Sequence, residues 1–295
     1  MSATARAIPR SIFYTPALSL DRVVKAWSYD ADVHLIDLED SVPPEQKSAA
    51  RTICREALDK APNPANIAVR INELGTVEAV RDLLLLTEGS TLPGFIVMTM
   101  VRSPAEITVV RDVFASADRH PEIYVTVETV EAVGDMAAIA AVADGLIFGS
   151  ADFAATLGIE VSWAGMLGAR HAMAMACARY GIGCIDTSNF HLDQPASLQE
   201  EIDGTRALGF HGKVAIHPDQ LDAINRCYRP DPDALRFARR VTAAVPVGGV
   251  AVLDGNMVGP PFARKARADV ALADAWAARF GASSGTGKEA GHDQP

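Results

Sequence analysis

Residues 123–152 read IYVTVETVEAVGDMAAIAAVADGLIFGSAD and show the pattern that most of the chain follows. A short apolar run, Ile123–Val127, precedes a stretch with helical spacing, Val130–Val142, and a second apolar run, Gly145–Phe148, comes after it. Apolar runs without polar alternation are typical of parallel strands covered on both faces, and the stretch between them is long enough for a crossover helix. The segment is therefore predicted to form a strand–helix–strand unit.

The same alternation extends through most of the chain in both directions. The other helical stretches are Pro44–Lys60, Thr76–Leu86, Pro104–Ala115, Trp163–Tyr180 and Pro195–Leu208. The predicted strands are Ser11–Thr15, Val33–Leu38, Ile67–Ile71, Gly94–Met98, Ile123–Val127, Gly145–Phe148, Gly183–Ile185 and Lys213–Ile216. Eight strands that alternate with helices predict an α/β protein with a single (β/α)₈ TIM barrel. The alternative is an open doubly wound sheet, but no G-x-G-x-x-G motif follows the first strand.

The composition excludes several classes of protein. The 295 residues are 49% hydrophobic and 22% charged, which allows a large core and argues against global disorder. A formal net charge of −10 is unfavourable for binding nucleic acid or an anionic membrane surface. The N-terminus lacks the apolar core of a signal peptide, and the four cysteines show no metal or redox spacing. We expect a cytoplasmic protein with reduced thiols that binds neither nucleic acid nor membranes.

The pattern changes after the eighth predicted strand, which indicates an appended segment. The barrel is predicted over residues 1–232 and a C-terminal helical extension over residues 233–280. A helical stretch, Asn225–Ala244, is interrupted by two prolines, and a short β segment, Gly248–Leu253, precedes an Ala- and Arg-rich helix, Pro261–Ala278. Residues 281–295 contain almost no apolar side chains and are predicted to be a disordered tail. We expect the extension to pack on a neighbouring subunit.

Polar side chains collect where the predicted strands end, which is where barrel enzymes carry their chemistry. These strand-end residues are Asp37, Glu39, Asp40, Arg70, Asn72, Glu128, Thr129, Asp152, Asp186, Thr187 and His217. Because strand ends are polar in many proteins, the informative feature is the combination of several carboxylates with one Arg and one His.

Glu128 and Asp152 are the candidate metal ligands, since they follow two neighbouring strands. Carboxylate oxygens are the ligands that Mg²⁺ prefers, with Mn²⁺ as an alternative ion, and the remaining positions are left to water or substrate. Such a cation can chelate a 2-keto or 2-hydroxy acid and polarise its oxygen. The alternative is that both carboxylates are solvated or paired in salt bridges.

Arg70 and His217 each have two interpretations. Arg70 ends a strand of apolar residues, and a buried guanidinium needs an anionic partner. That partner is either a substrate carboxylate or enolate oxygen, or a structural ion pair with Asp37 or Glu39. His217 could act as a general acid or base, but we favour a structural role at the barrel rim.

Six motifs, in this order and spacing, resemble the citrate lyase β-subunit-like family. This family is related to malyl-CoA and citramalyl-CoA lyases within the HpcH/HpaI-type aldolases. The motifs are Arg10-Ser11 followed by Pro16, Asp37-Leu38-Glu39-Asp40, Arg70-x-Asn72, Glu128-Thr129, Phe148-Gly149-x-x-Asp152 and Gly212-Lys213-x-x-Ile216-His217-Pro218-x-Gln220. The resemblance covers roughly residues 10–275.

The resemblance implies a TIM barrel with Mg²⁺ on Glu128 and Asp152 and with Arg70 facing the substrate. It also implies that the backbone near Ala151 and Asp152 holds the substrate carboxylate. The reaction implied is reversible cleavage of a 3-hydroxyacyl thioester into an acyl thioester and a 2-keto acid. A homotrimer is implied, in which the C-terminal segment reaches the site of an adjacent subunit.

The chain departs from the family pattern at positions connected with the thioester. The departures replace Pro-Gly-x-Arg by Pro16-Ala17-Leu18-Ser19, a strand-end Pro-Lys by Met98-Thr99, a Glu by Ala151, and a C-terminal Asp by Gly259. Because Gly259 cannot transfer a proton, Asp37 and Glu39 become candidate catalytic bases beside Arg70, together with His217.

Two functions therefore remain open. One is a Mg²⁺-dependent carbon–carbon lyase or aldolase, acting on a small 3-hydroxyacyl thioester or hydroxy-dicarboxylate to give a 2-keto acid. In that case coenzyme A is an open partner. The other is a catalytically reduced relative that binds a 2-keto acid without thioester cleavage.

Overall fold

Eight parallel strands close into a barrel in the structure, which is a computed structural model describing residues 6–245 and 249–281. The strands are β1 (Ser11–Pro16), β2 (Val33–Asp37), β3 (Ile67–Arg70), β4 (Phe95–Met98), β5 (Glu122–Val127), β6 (Gly145–Phe148), β7 (Gly183–Asp186) and β8 (Gly212–Ala215). Closure comes from β1, which pairs with β2 on one side and with β8 on the other. The predicted (β/α)₈ barrel is thus confirmed, and each predicted strand boundary lies within one residue of the observed one.

Helices cover the outside of the barrel. They are α1 (Leu20–Ala26), α2 (Lys47–Lys60), α3 (Val77–Glu88), α4 (Pro104–Ser116), α5 (Val130–Gly134), α6 (Met136–Ala140), α7 (Ser150–Leu157), α8 (Trp163–Tyr180), α9 (Pro195–Leu208) and α10 (Leu221–Tyr228). Short 3₁₀ turns lie at Pro44–Gln46, Pro64–Asn66 and Pro218–Gln220. The main apolar core lies between the strands and these helices, and it includes Val125, Leu146 and Phe114.

The prediction of one helix over Val130–Val142 was wrong. Asp135, with φ −98° and ψ 19°, leaves the helical region and separates α5 from α6. Gly134 is a poor helix former, so the apolar periodicity alone was misleading. The sequence pattern also did not predict α1 and α7, which are too short to show a clear periodicity.

The chain divides into two compact units, of which the first spans Pro9–Tyr228. The second contains α11 (Pro232–Ala244), β9 (Ala251–Leu253), β10 (Asn256–Val258) and α12 (Pro260–Phe280). β9 and β10 form an antiparallel hairpin, and Val241, Val258 and Ala266 belong to a small core of this unit. The predicted tail lies outside the described residues, apart from Gly281. No helix within the described part of the chain is long and apolar enough to cross a membrane.

Candidate active site

A cavity of about 220 Å³ opens at the carboxyl ends of the barrel strands. Side chains from β3, β5 and the start of α7 line it, among them Arg70, Glu128 and Asp152, and Ala151 lies beside them. The barrel therefore brings together the residues predicted to bind metal and substrate.

Glu128 is held at the end of β5 by two hydrogen bonds to the same oxygen. Its Oε1 accepts from Thr99 Oγ1 at 2.5 Å and from the Met100 backbone N–H at 2.6 Å. The side chain is only 2% exposed, and burial raises the pKa of Glu128 to about 7, with a further contribution from the charge of Asp152. Its Oε2 packs against Gly149, where an added Cβ would come within 2.6 Å of this oxygen. Any side chain larger than that of glycine at position 149 would therefore clash with the Glu128 carboxylate.

Asp152 lies in the first turn of α7 and is half-buried. Partial burial raises the pKa of Asp152, and the neighbouring charge of Asp40 raises it further. Asp40 also lines the cavity. Like charges at close range oppose ionisation, and a cation bound beside Asp152 would relieve this opposition.

Arg70 forms the structural ion pairs that one interpretation of the sequence predicted, and it also lies at the cavity that the other interpretation requires. Its Nε and Nη2 donate to Asp37 Oδ1 and Oδ2 at 2.7 and 2.6 Å, and its Nη1 lies 3.1 Å from Glu39 Oε2. The guanidinium also lines the cavity and lies 5.2 Å from the centre of the Tyr14 ring. The ion pairs therefore fix Arg70 with its planar group at the cavity wall.

The two carboxylates that hold Arg70 have opposite pKa shifts. Burial alone would raise the pKa of Asp37, but the hydrogen bonds and charge of Arg70 bring it below its ordinary value. Burial raises the pKa of Glu39 to about 8, and the charge of Arg70 offsets this only in part. Neither carboxylate is part of the cavity lining. Their contacts in the structure are those of side chains that position Arg70.

Lys47 fixes the loop that follows β2. Its Nζ donates to the backbone carbonyls of Leu38 and Glu39, both at 2.8 Å, and to Asn72 Oδ1 at 2.6 Å. Asn72 in turn donates to Asp82 Oδ2 from its backbone and from its side chain. Asn72 is thus a link between two strand ends. Lys47 and Asp82 belong to helices, and no strand-end pattern indicated them.

Several other predicted positions lie outside the cavity lining. His217 caps the 3₁₀ turn at Pro218–Gln220, where its Nδ1 accepts from the Asp219 backbone at 3.4 Å, in line with the structural role that we favoured. Ser19 caps α1 by accepting from the Arg22 backbone. Gly259 belongs to the second unit and precedes α12.

Reasoning from the sequence did not place Thr99 and Tyr14 at the site. Thr99 was treated as the loss of a cation at the rim, yet it is 3% exposed and donates to Glu128. Tyr14 lines the cavity, but within an apolar run it resembled an ordinary strand residue. The alternation of side chains along β1 is the signal that would have placed Tyr14 inside the barrel.

Comparison with known proteins agrees with this geometry. The model of the HpcH/HpaI aldolase/citrate lyase family matches residues 10–218. A citrate lyase subunit beta-like protein of Mycobacterium tuberculosis is 34% identical over 267 residues, which cover 87% of this chain and 92% of that protein. The human mitochondrial citramalyl-CoA lyase is 26% identical over 298 residues, covering 92% of this chain and 88% of that enzyme.

Among solved structures, protein CitE from Mycobacterium tuberculosis in complex with magnesium, acetoacetate and coenzyme A is similar, with a TM-score of 0.73. It shares 29% sequence identity, and the match covers 91% of this chain and 98% of that one. The family model alone spans well over half of the sequence, and the matched range contains Arg70, Glu128 and Asp152. The chain therefore belongs to the HpcH/HpaI aldolase/citrate lyase family of carbon–carbon lyases.

Proposed function

We propose that the protein is a Mg²⁺-dependent lyase that cleaves a carbon–carbon bond to release a small 2-keto acid, or forms this bond in the reverse direction. The observation that carries this proposal is the meeting of Glu128, Asp152 and Arg70 at one small cavity. Two carboxylates supply oxygen ligands for a hard cation, and a fixed guanidinium supplies a positive wall for an anionic substrate.

The donor set fits magnesium. Among the described residues, both hydrogen bonds to Glu128 go to Oε1, which leaves Oε2 for a cation. Because Mg²⁺ takes six ligands, a pair of carboxylates would leave positions for water and substrate oxygens. Mg²⁺ held by Glu128 and Asp152 would polarise the oxygen of the keto acid. The similar CitE structure is a magnesium complex, which supports magnesium as the cation.

The size of the cavity favours a small acid. At about 220 Å³ it is smaller than the ~300–1,000 Å³ of sites for drug-sized ligands. A short 2-keto acid fits this volume, with its negative charge near Arg70 and the backbone of Ala151 and Asp152 beside it. Arg70 would also stabilise negative charge that develops when the bond breaks. The acyl portion of a thioester substrate must extend outside the cavity.

A second candidate function is binding of a 2-keto acid without thioester cleavage. The specific observation in its favour is that three positions where the family has an Arg, a Lys and an Asp carry Ser19, Thr99 and Gly259 here. Thr99 is buried against Glu128 and does not replace a cation at the rim. In this case the protein would bind the metal and the keto acid but would not cleave a thioester.

We also propose a homo-oligomer, a trimer by resemblance, in which the second unit docks on a neighbouring copy. Apolar side chains of this unit are solvent-exposed, with Val252 at 72%, Met257 at 73% and Phe262 at 60%. Such a group is unusual for a free surface and suits a protein contact.

The test is an assay for release of 2-keto acid from malyl- and citramalyl-thioesters and from the free acids, with Mg²⁺ and with EDTA. We expect release only with Mg²⁺, and at least a tenfold loss in Arg70→Lys, which keeps the charge but loses the two-pronged pairing. Equal rates with EDTA, or in Arg70→Lys, would contradict the proposal. Keto-acid binding without release from any substrate would favour the second candidate.

A further inference from the structure

We propose that Met100 is a positioning residue for metal binding, because its left-handed backbone directs its N–H toward the carboxylate of Glu128. This inference rests on the proposed function, in which Glu128 holds Mg²⁺. It goes beyond that function by assigning a role to the backbone of the loop between β4 and α4.

The backbone of Met100 has an unusual conformation. Its φ is 52°, in the left-handed region, where the Cβ of an L-residue comes too close to the following carbonyl oxygen. Among the described residues, the only others besides glycine with positive φ are Asp118 and Asp254. Aspartate tolerates this region because its short polar side chain can hydrogen-bond locally, whereas the side chain of methionine cannot. Strained residues of this kind persist only where the surrounding structure fixes them, and they cluster at functional sites.

Contacts on both sides of Met100 fix the loop that carries it. The preceding residue, Thr99, is buried and donates to Glu128 Oε1 at 2.5 Å. The following residue, Val101, is also buried, and its carbonyl accepts from Thr129 Oγ1 at 2.8 Å. The ends of β4 and β5 are therefore tied together immediately before and immediately after Met100. The one residue between these two ties has to take the conformation that joins them.

This conformation places the N–H of Met100 on the predicted metal ligand. Since φ is the rotation about the N–Cα bond, it sets the direction of the N–H relative to the chain that follows. With φ at 52°, the N–H donates to Glu128 Oε1 at 2.6 Å, beside the hydroxyl of Thr99. Hydrogen bonds to an ionised acceptor are stronger than those between neutral groups. Because both donors engage Oε1, they hold the carboxylate in the orientation that leaves Oε2 for a cation.

The experiment compares Met100→Gly and Met100→Val with the parent. Glycine adopts a positive φ without steric cost, whereas a β-branched residue strongly disfavours it. Asp118→Val is the matched control, because Asp118 has a φ of 55° in the first unit and a fully exposed side chain. Calorimetry measures the affinity for Mg²⁺ near pH 7, and thermal unfolding reports stability.

We expect Met100→Gly to bind Mg²⁺ with an affinity within about twofold of the parent and to melt at the same or a higher temperature. Met100→Val should bind Mg²⁺ at least ~10-fold more weakly, because its backbone leaves the left-handed region and the bond to Glu128 is lost. Asp118→Val should lower the melting temperature and leave Mg²⁺ affinity unchanged. The role of the Met100 backbone would be overturned by parental Mg²⁺ affinity in Met100→Val, or by a loss in Met100→Gly as large as in Met100→Val.

An NMR measurement decides the same point if Met100→Val does not fold. In the parent labelled with nitrogen-15 methionine, the Met100 amide is the signal that Met100→Gly lacks. We expect this amide proton to shift upfield in Glu128→Gln, because a bond to a neutral amide is weaker than one to a carboxylate. An unchanged signal in a parent that binds Mg²⁺ would overturn this inference alone. If the parent does not bind Mg²⁺, the proposed function fails and the metal-binding role of Met100 fails with it.

Discussion

At the scale of single residues, the two oxygens of Glu128 have different surroundings. Thr99 and the Met100 backbone both donate to Oε1, while Oε2 adjoins Gly149. Hydrogen bonds to a carboxylate favour its charged form, and at this buried position they oppose the rise in pKa that burial causes. Thr99 therefore helps to keep Glu128 ionised and oriented for a cation.

Removal of the Thr99 hydroxyl should weaken metal binding. Thr99→Val keeps the shape of the side chain but loses the bond to Glu128, so the carboxylate is ionised less readily. We expect Mg²⁺ affinity, measured by calorimetry near pH 7, to fall by roughly 10-fold, the effect of losing one hydrogen bond to a charged group. Thr99→Ser retains a hydroxyl and serves as the control. Equal affinities in the valine and serine variants would show that Thr99 has no part in positioning Glu128.

At the scale of elements, the start of α12 carries one of the departures from the lyase pattern, Gly259. Gly259 precedes this helix with φ −125°, a conformation that any residue adopts, and it provides no side-chain cap. A Cβ at this position would meet Val250 Cγ1 at 3.4 Å, which is an ordinary contact. The local structure therefore permits an aspartate where the chain has glycine.

Gly259→Asp should fold normally and restore an acid to the hairpin–helix junction. Aspartate is a favoured N-cap, so we expect the melting temperature to stay the same or rise slightly. General acid–base assistance is worth about 10²–10⁴ in rate, and a slow parent should gain measurable cleavage of malyl- or citramalyl-thioesters. If the parent already cleaves these thioesters and Gly259→Asp does not change the rate, the missing acid at position 259 does not limit the reaction. Gly259→Asn provides a cap without an acid and is the matched control.

At the scale of the whole molecule, the barrel was predictable because its signal is repeated. Each strand is a short apolar run with a clear end, and eight such runs together predict the fold although each one alone is a weak signal. Once the barrel closes, the polar residues at the strand ends lie close together. The role of Thr99 was not predictable, because it depends on how the end of β4 lies beside that of β5. For Arg70 the sequence left two interpretations open, an ion pair with Asp37 or Glu39 and a contact with substrate. It could not decide between them, because one guanidinium can pair with Asp37 and still line a cavity.

Stability at acidic pH should depend on a half-buried histidine, His211, between β7 and β8. Nδ1 of His211 accepts a hydrogen bond from the Cys184 backbone at 3.1 Å, and burial lowers the pKa of His211 to about 4. Below pH ~6.5 the unfolded chain binds a proton that the folded protein does not, so the free energy of unfolding falls as the pH falls toward 4.

His211→Asn keeps an acceptor and cannot titrate in this range. We expect its free energy of unfolding, measured with urea between pH 7 and 4, to decline less steeply than that of the parent. The difference in slope should approach about 1.4 kcal/mol per pH unit at most. Parallel curves for the two proteins would show that His211 does not remain neutral in the folded state.

The central claim is that Glu128 and Asp152 hold Mg²⁺ for a 2-keto acid, and thermal unfolding of the parent, Glu128→Gln and Asp152→Asn tests it most directly. We predict that pyruvate raises the melting temperature of the parent only with Mg²⁺, with about 2.7 kcal/mol of stabilisation at 100 times the dissociation constant. Both variants should lose this effect while folding as well as the parent without ligand, because each removes one of two charges that repel. Stabilisation by pyruvate and Mg²⁺ that is as large in both variants as in the parent would contradict the account.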